Sequence, residues 1–143
     1  MTVTVITDAS TSSASHCAAE GGRVASTWAV YVRGHKKAGR KPITQAGEVP
    51  GFARGESHLA ESYAAVMGAR FGRALFPSAK IVVRTDCKPA LHALADDGPD
   101  WGRPFRLALR ELQPVDFRKA PRCETKPAHD AANRLRKSLR SHP

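Results

Sequence analysis

The chain has 143 residues, with 23 Lys or Arg against 13 Asp or Glu, a formal net charge of +10 and a pI near 10.2. An apolar content of 41% is too high for a disordered basic tail, and the length suits one domain with one core, expected over residues 1–143. No apolar run approaches the roughly 20 residues of a membrane span, and so basic a folded domain points to a polyanion, nucleic acid or an anionic membrane, with nucleic acid favoured over a surplus that only keeps the protein soluble.

The first residues, Met1 to Asp8, have neither the basic start nor the apolar stretch of a signal peptide. Val3 to Ile6 is rich in β-branched residues and reads as a strand ending in Thr7-Asp8-Ala9-Ser10. After a loop with Gly21-Gly22 as its turn signal, Val24 to Arg33 reads as a second strand. The basic stretch Gly34 to Lys41 is a hairpin connection, and Ile43 to Val49 is a third strand closed by Pro50-Gly51. The pattern then becomes helical. Leu59, Ala60, Tyr63, Ala64, Val66, Met67, Arg70 and Phe71 recur at spacings of three and four, Ser57 is the candidate N-cap, and Pro77 bounds the segment. Ala79 to Val83 is a buried strand running into Arg84-Thr85-Asp86. Two short helices follow, Pro89 to Ala95 and Phe105 to Leu112, then a strand from Pro114 to Ala120 and a last helix from Ala128 to Leu139. Three antiparallel strands followed by strands and helices in alternation imply a mixed sheet covered by helices. The three cysteines, Cys17, Cys87 and Cys123, have no disulfide or zinc spacing and suit a reducing cytoplasm.

In a chain so poor in acids, the placing of each one is informative. Two strands end alike, in Thr7-Asp8 and Thr85-Asp86, and parallel neighbours would bring those carboxylates to one sheet edge. Either Asp taken singly can also be an ordinary turn cap. Glu61 lies one turn into the first helix between Ala60 and Ala64, so it can face inward, where a carboxylate needs a partner or a metal. Asp130 and Asn133 are three apart in the last helix and either can join the group.

These segments, taken in order, resemble the ribonuclease HI family of the ribonuclease H-like fold. Thr7-Asp8-Ala9-Ser10 is similar to its Asp-Gly-Ser opening, with Ala9 for the glycine. Ser57 to Ala65 resembles the helix of its catalytic Glu, Arg84 to Lys88 its Thr-Asp-Ser segment, and His129 to Leu135 its final Asn-Glu-x-Ala-Asp-x-Leu motif. The resemblance implies an α/β fold with a mixed five-stranded sheet, order 3-2-1-4-5, flanked by helices. It also implies a metal-dependent endonuclease that cuts the RNA strand of RNA/DNA hybrids and leaves 5′-phosphates.

Asp8, Glu61, Asp86 and Asn133 are then the catalytic and metal-holding residues, with two Mg²⁺ or Mn²⁺ ions as cofactors. Setting Ala132 and Leu135 on the family motif places Asn133 where a fourth Asp belongs, with Asp130 as the alternative. His129 replaces the motif's Asn, and the segment before it, Arg122 to Pro127, is short and lacks the His that many relatives carry there. A loss of the fourth acid also leaves room for a second function, a non-catalytic nucleic-acid-binding domain. Lys88, Ser10 and Ser57 are candidate contacts to a hybrid. Eight basic residues between Arg118 and Arg140, and a group from Arg33 to Lys41, are candidate phosphate tracks. Trp28 and Trp101 are expected to pack in the core. The expected state is a cytoplasmic monomer.

Overall fold

The computed structural model describes residues 1–11, 26–33, 42–51 and 56–139. The Gly21-Gly22 turn, the start of the second strand at Val24, the Gly34–Lys41 connection and Arg140 lie outside the described residues.

Strands β1 (Thr2–Thr11), β2 (Ser26–Val32) and β3 (Ile43–Glu48) form an antiparallel meander. Helix α1 (Ser57–Leu75) crosses to β4 (Lys80–Thr85), which lies parallel to β1. Helices α2 (Lys88–Leu94) and α3 (Arg103–Leu109) lead to β5 (Val115–Lys119), parallel to β4, and α4 (Arg122–Leu139) closes the described chain. The sheet order is β3-β2-β1-β4-β5, as the resemblance implies. This is the ribonuclease H fold.

Alternation along β1 assigns its two faces. Val3 and Val5 join the larger core with Trp28, Val30, Ile81, Val83 and the buried face of α1, and Trp101 packs against it. Ile6 faces the other way, into a smaller core with Ala29 and the α4 residues Ala128 and Ala132. Asp8 and Ser10 share the parity of Ile6 and so face α4.

Helix α1 approaches the sheet on small residues. A Cβ on Gly68 would collide with the Thr7 methyl, and one on Gly72 would lie 3.0 Å from Ile81 Cγ2 and 3.1 Å from Val5 Cγ2. Glu61 is seven residues before Gly68, so the same stripe carries its carboxylate to the sheet. Gly68→Ala is therefore expected to destabilise the protein by about 1–3 kcal/mol, the usual scale of overpacking. Urea unfolding measures this; an unchanged midpoint would mean that α1 can lift away at no cost.

Several elements differ from their sequence reading. β1 does not stop before Asp8; β2 stays paired with it to Thr11, and Asp8 lies opposite Ala29. The N-cap of α1 is Glu56, in extended backbone and without a side-chain cap bond, and Ser57 is the first helical residue. α4 begins at Arg122, with Pro127 inside it, so Arg122 to Pro127 is helix where the sequence suggested a loop. Pro127 removes one bond to the Cys123 carbonyl, but burial of Thr125 and Ala128 holds both sides of that turn on the protein. Helix α3 ends at Leu109 and passes into a 3-10 turn, Arg110–Leu112.

Candidate active site

The pairing of β1 with β4 ends at Ile6 and Arg84. Continuing that register sets Asp8 level with Asp86, just beyond the last paired residues. Glu61 arrives from α1 at the same point. One carboxylate oxygen from each of Asp8, Glu61 and Asp86 lies within 4.8 Å of the others. Elements far apart in sequence thus bring together the three acids singled out above.

The Asp8 side chain is 5% exposed. Ala9 N–H donates to Glu61 Oε1 at 3.3 Å, while Glu61 Oε2 is buried and receives no hydrogen bond from the protein. Thr125 Oγ1 lies 3.4 Å from Asp86 Oδ2 and 3.0 Å from the Arg122 carbonyl. Burial, followed by the Asp8 charge, pushes the Glu61 carboxyl up to about 10. Burial is also the main cause that raises Asp8, opposed by hydrogen bonds to Glu61 and His129. Burial pushes the neighbouring Cys87 thiol up to about 11, which keeps it protonated at neutral pH in the metal-free protein.

Such a site suits a hard divalent cation. Its donors are carboxylate oxygens, one of them is buried without a partner, and close negative charges need a countercharge. Without metal, the folded protein holds a proton on Glu61 that the unfolded chain releases above about 4.5. The stability contributed by that proton is full below 4.5 and is lost as the pH rises through about 10. Unfolding of metal-free protein should accordingly become easier across this window, and Glu61→Gln should flatten the trend. An equally steep fall in Glu61→Gln would exclude Glu61 as its source.

Helix α4 supplies the opposite wall. Thr125, His129 and Asn133 recur every four residues and form one stripe toward β1. His129 Nδ1 lies 2.7 Å from Asp8 Oδ2, and His129 Nε2 lies 3.2 Å from Asn133 Nδ2. Asn133 Oδ1 accepts from Ser10 Oγ at 2.6 Å. Asn133 thus meets the acids through the His129 ring. Asp130 lines the groove over the acids, with its carboxylate 3.7 Å from the Lys126 ammonium.

The contact of His129 with Asp8 is the site feature that the sequence reading missed. Its signal was the four-residue spacing to Asn133, which puts both side chains on one helix face. Ser10 is 8% exposed, and its hydroxyl is engaged by Asn133 and Arg136 inside the protein. Ser57 and Lys88 are exposed at the starts of α1 and α2. Arg136 is only 6% exposed, so burial removes it from the basic surface in which its sequence position had placed it. Arg122 and Lys126 line the open groove of about 700 Å³ that contains the acids.

The chain thus has a ribonuclease H-like fold with a cluster of carboxylates at the ends of its central strands. Among solved structures, it is similar to RNase H1 from the halophilic archaeon Halobacterium salinarum, with a TM-score of 0.67 at 18% identity over 93% of this chain and 96% of that one. LC11-RNase H1 in complex with an RNA/DNA hybrid superimposes with a TM-score of 0.72 at 10% identity, over 96% of this chain and 98% of that one. The protease-reverse transcriptase of prototype foamy virus matches at 0.56 and 11% identity, over 97% of this chain and 20% of that one. No family model and no curated protein matches the sequence. At these identities the likeness establishes the fold.

Proposed function

We propose that the chain is a metal-dependent endoribonuclease that hydrolyses the RNA strand of RNA/DNA hybrids, leaving 3′-hydroxyl and 5′-phosphate ends. The observation that carries this reading is the cluster of Asp8, Glu61 and Asp86, whose carboxylate oxygens gather within 4.8 Å of one another. These three residues hold Mg²⁺ or Mn²⁺. Divalent ions bound there supply an activated water and offset charge on the leaving oxygen. The protein's own part is to fix the acids. Ala9 N–H holds one oxygen of Glu61, Thr125 stands beside Asp86, and His129 stands beside Asp8. Asn133 completes this wall through His129.

The substrate class is supported by charge. Arg122 and Lys126 flank the acids in the groove, and exposed Lys88 follows Asp86 closely in the chain. Such cations hold a phosphate backbone in a salt-dependent way. The hybrid bound by LC11-RNase H1 has the same polyanionic character. Selectivity for RNA follows from contacts to 2′-hydroxyls. Scattered cysteines suit action in a reducing cytoplasm, and we assign the chain a monomeric state. No helix among the described residues is long and apolar enough to cross a membrane.

The test is cleavage of an end-labelled hybrid in Mg²⁺ and in Mn²⁺, with single-stranded RNA and duplex DNA as controls. Cutting confined to the hybrid RNA is expected. Folded protein that binds the hybrid and yields no product in either metal would make the chain a nucleic-acid-binding domain on this fold.

A further inference from the structure

Behind the acids runs a chain of hydrogen bonds whose direction can be worked out from one end. It begins at Arg136, a guanidinium that can only donate. Its Nε donates to Ser10 Oγ at 2.9 Å. The Ser10 hydroxyl, having accepted there, turns its single proton to Asn133 Oδ1 at 2.6 Å. That bond orients the Asn133 amide and leaves its Nδ2 donor 3.2 Å from His129 Nε2. Nε2 must then accept, so the ring proton of neutral His129 resides on Nδ1, 2.7 Å from Asp8 Oδ2. Every link therefore points from the buried arginine toward the carboxylate.

We infer that Arg136, Ser10 and Asn133 hold His129 as its Nδ1–H tautomer, and that His129 is a positioning residue which orients Asp8 rather than a ligand of the metal. This rests on Asp8 being a metal-holding carboxylate, as proposed above. A neutral imidazole can ligate only through a nitrogen that carries no proton. In this arrangement Nδ1 is occupied by its proton and Nε2 by the Asn133 amide. Asn133 then acts on the site through the ring, its oxygen accepting from Ser10 and its nitrogen donating to Nε2. The geometry also gives a reason for an amide where an acid was expected. A carboxylate at residue 133 would accept from both Ser10 and Nε2 and so compete with Asp8 for the ring proton.

The test reads the two ring nitrogens of His129 by ¹⁵N NMR in metal-free protein at alkaline pH, with the resonances assigned by their loss in His129→Gln. The expected spectrum has a protonated, pyrrole-type Nδ1 and an unprotonated, pyridine-type Nε2. Asn133→Asp should bring a proton to Nε2, either shared with Nδ1 or as a second ring proton. Ser10→Ala removes one hydroxyl and should restore a mixture of tautomers. An Nε2–H tautomer in the wild type would overturn the inference, as would an unchanged pattern in Asn133→Asp. Adding Mg²⁺ should leave Nδ1 protonated; loss of that proton on saturation would make His129 a ligand and sink its positioning role. The absence of any Mg²⁺ response at the Asp8, Glu61 and Asp86 resonances would instead defeat the metal reading and leave the tautomer assignment standing. In hybrid cleavage, His129→Ala should lose about 10–100-fold, the scale on which groups supporting a metal ligand act. Replacing Asp130 should change the rate far less.

Discussion

Asp8→Asn or Asp86→Asn is expected to reduce cleavage of hybrid RNA by about 10²–10³-fold, the scale set by removing one strong electrostatic contribution to a transition state. The loss should persist at saturating hybrid, because neither carboxylate is part of the basic surface that holds phosphates. Asp8 has the larger structural stake: its side chain is 5% exposed and lies between Glu61 and His129. Replacing it by Asn keeps the shape but leaves an amide facing the Nδ1–H donor or the Glu61 carboxyl. Circular dichroism and a thermal scan should show folded protein in both variants. Hybrid binding without turnover is the outcome that fits a carboxylate engine on a basic platform. Near wild-type cleavage by folded Asp86→Asn would remove Asp86 from the catalytic group.

The second large effect is on metal-linked stability. Mg²⁺ or Mn²⁺ at about 100 times its dissociation constant should stabilise the native state by about 2.7 kcal/mol, because the unfolded chain cannot gather the three acids. Glu61→Gln should abolish most of that gain. The same change should raise the stability of metal-free protein at alkaline pH, since it removes a carboxyl whose ionisation is opposed by burial and by Asp8. Thermal unfolding with and without metal separates the two effects. Equal metal stabilisation in wild type and Glu61→Gln would mean that the cation binds elsewhere.

Much of this site was legible in the chain. Asp8 and Asp86 stand after similar β-branched runs, and Glu61 sits between alanines on a periodic helix. Such patterns are local, set by the two-residue repeat of a strand and the 3.6-residue repeat of a helix. Other features depended on distant partners. β1 continues past Asp8 only because β2 stays paired with it to Thr11. The first turns of α4 form, despite Pro127, where Thr125 and Ala128 find buried positions. The stripe of small residues on α1 reads as weak amphipathicity, yet Gly68 and Gly72 let the helix approach Thr7, Val5 and Ile81 closely.

By itself, then, the sequence placed most of the strands and helices and singled out three carboxylates, because spacing and side-chain type act over a few residues. What happens at residues 129, 133 and 136 was decided by tertiary structure. A basic helix read alone offers Arg136 to solvent, Asn133 to a metal and His129 to nothing in particular. Packing α4 against β1 buries Arg136 beside Ser10, and a buried guanidinium must donate. From that one obligation the direction of each following hydrogen bond is set, up to the proton that faces Asp8.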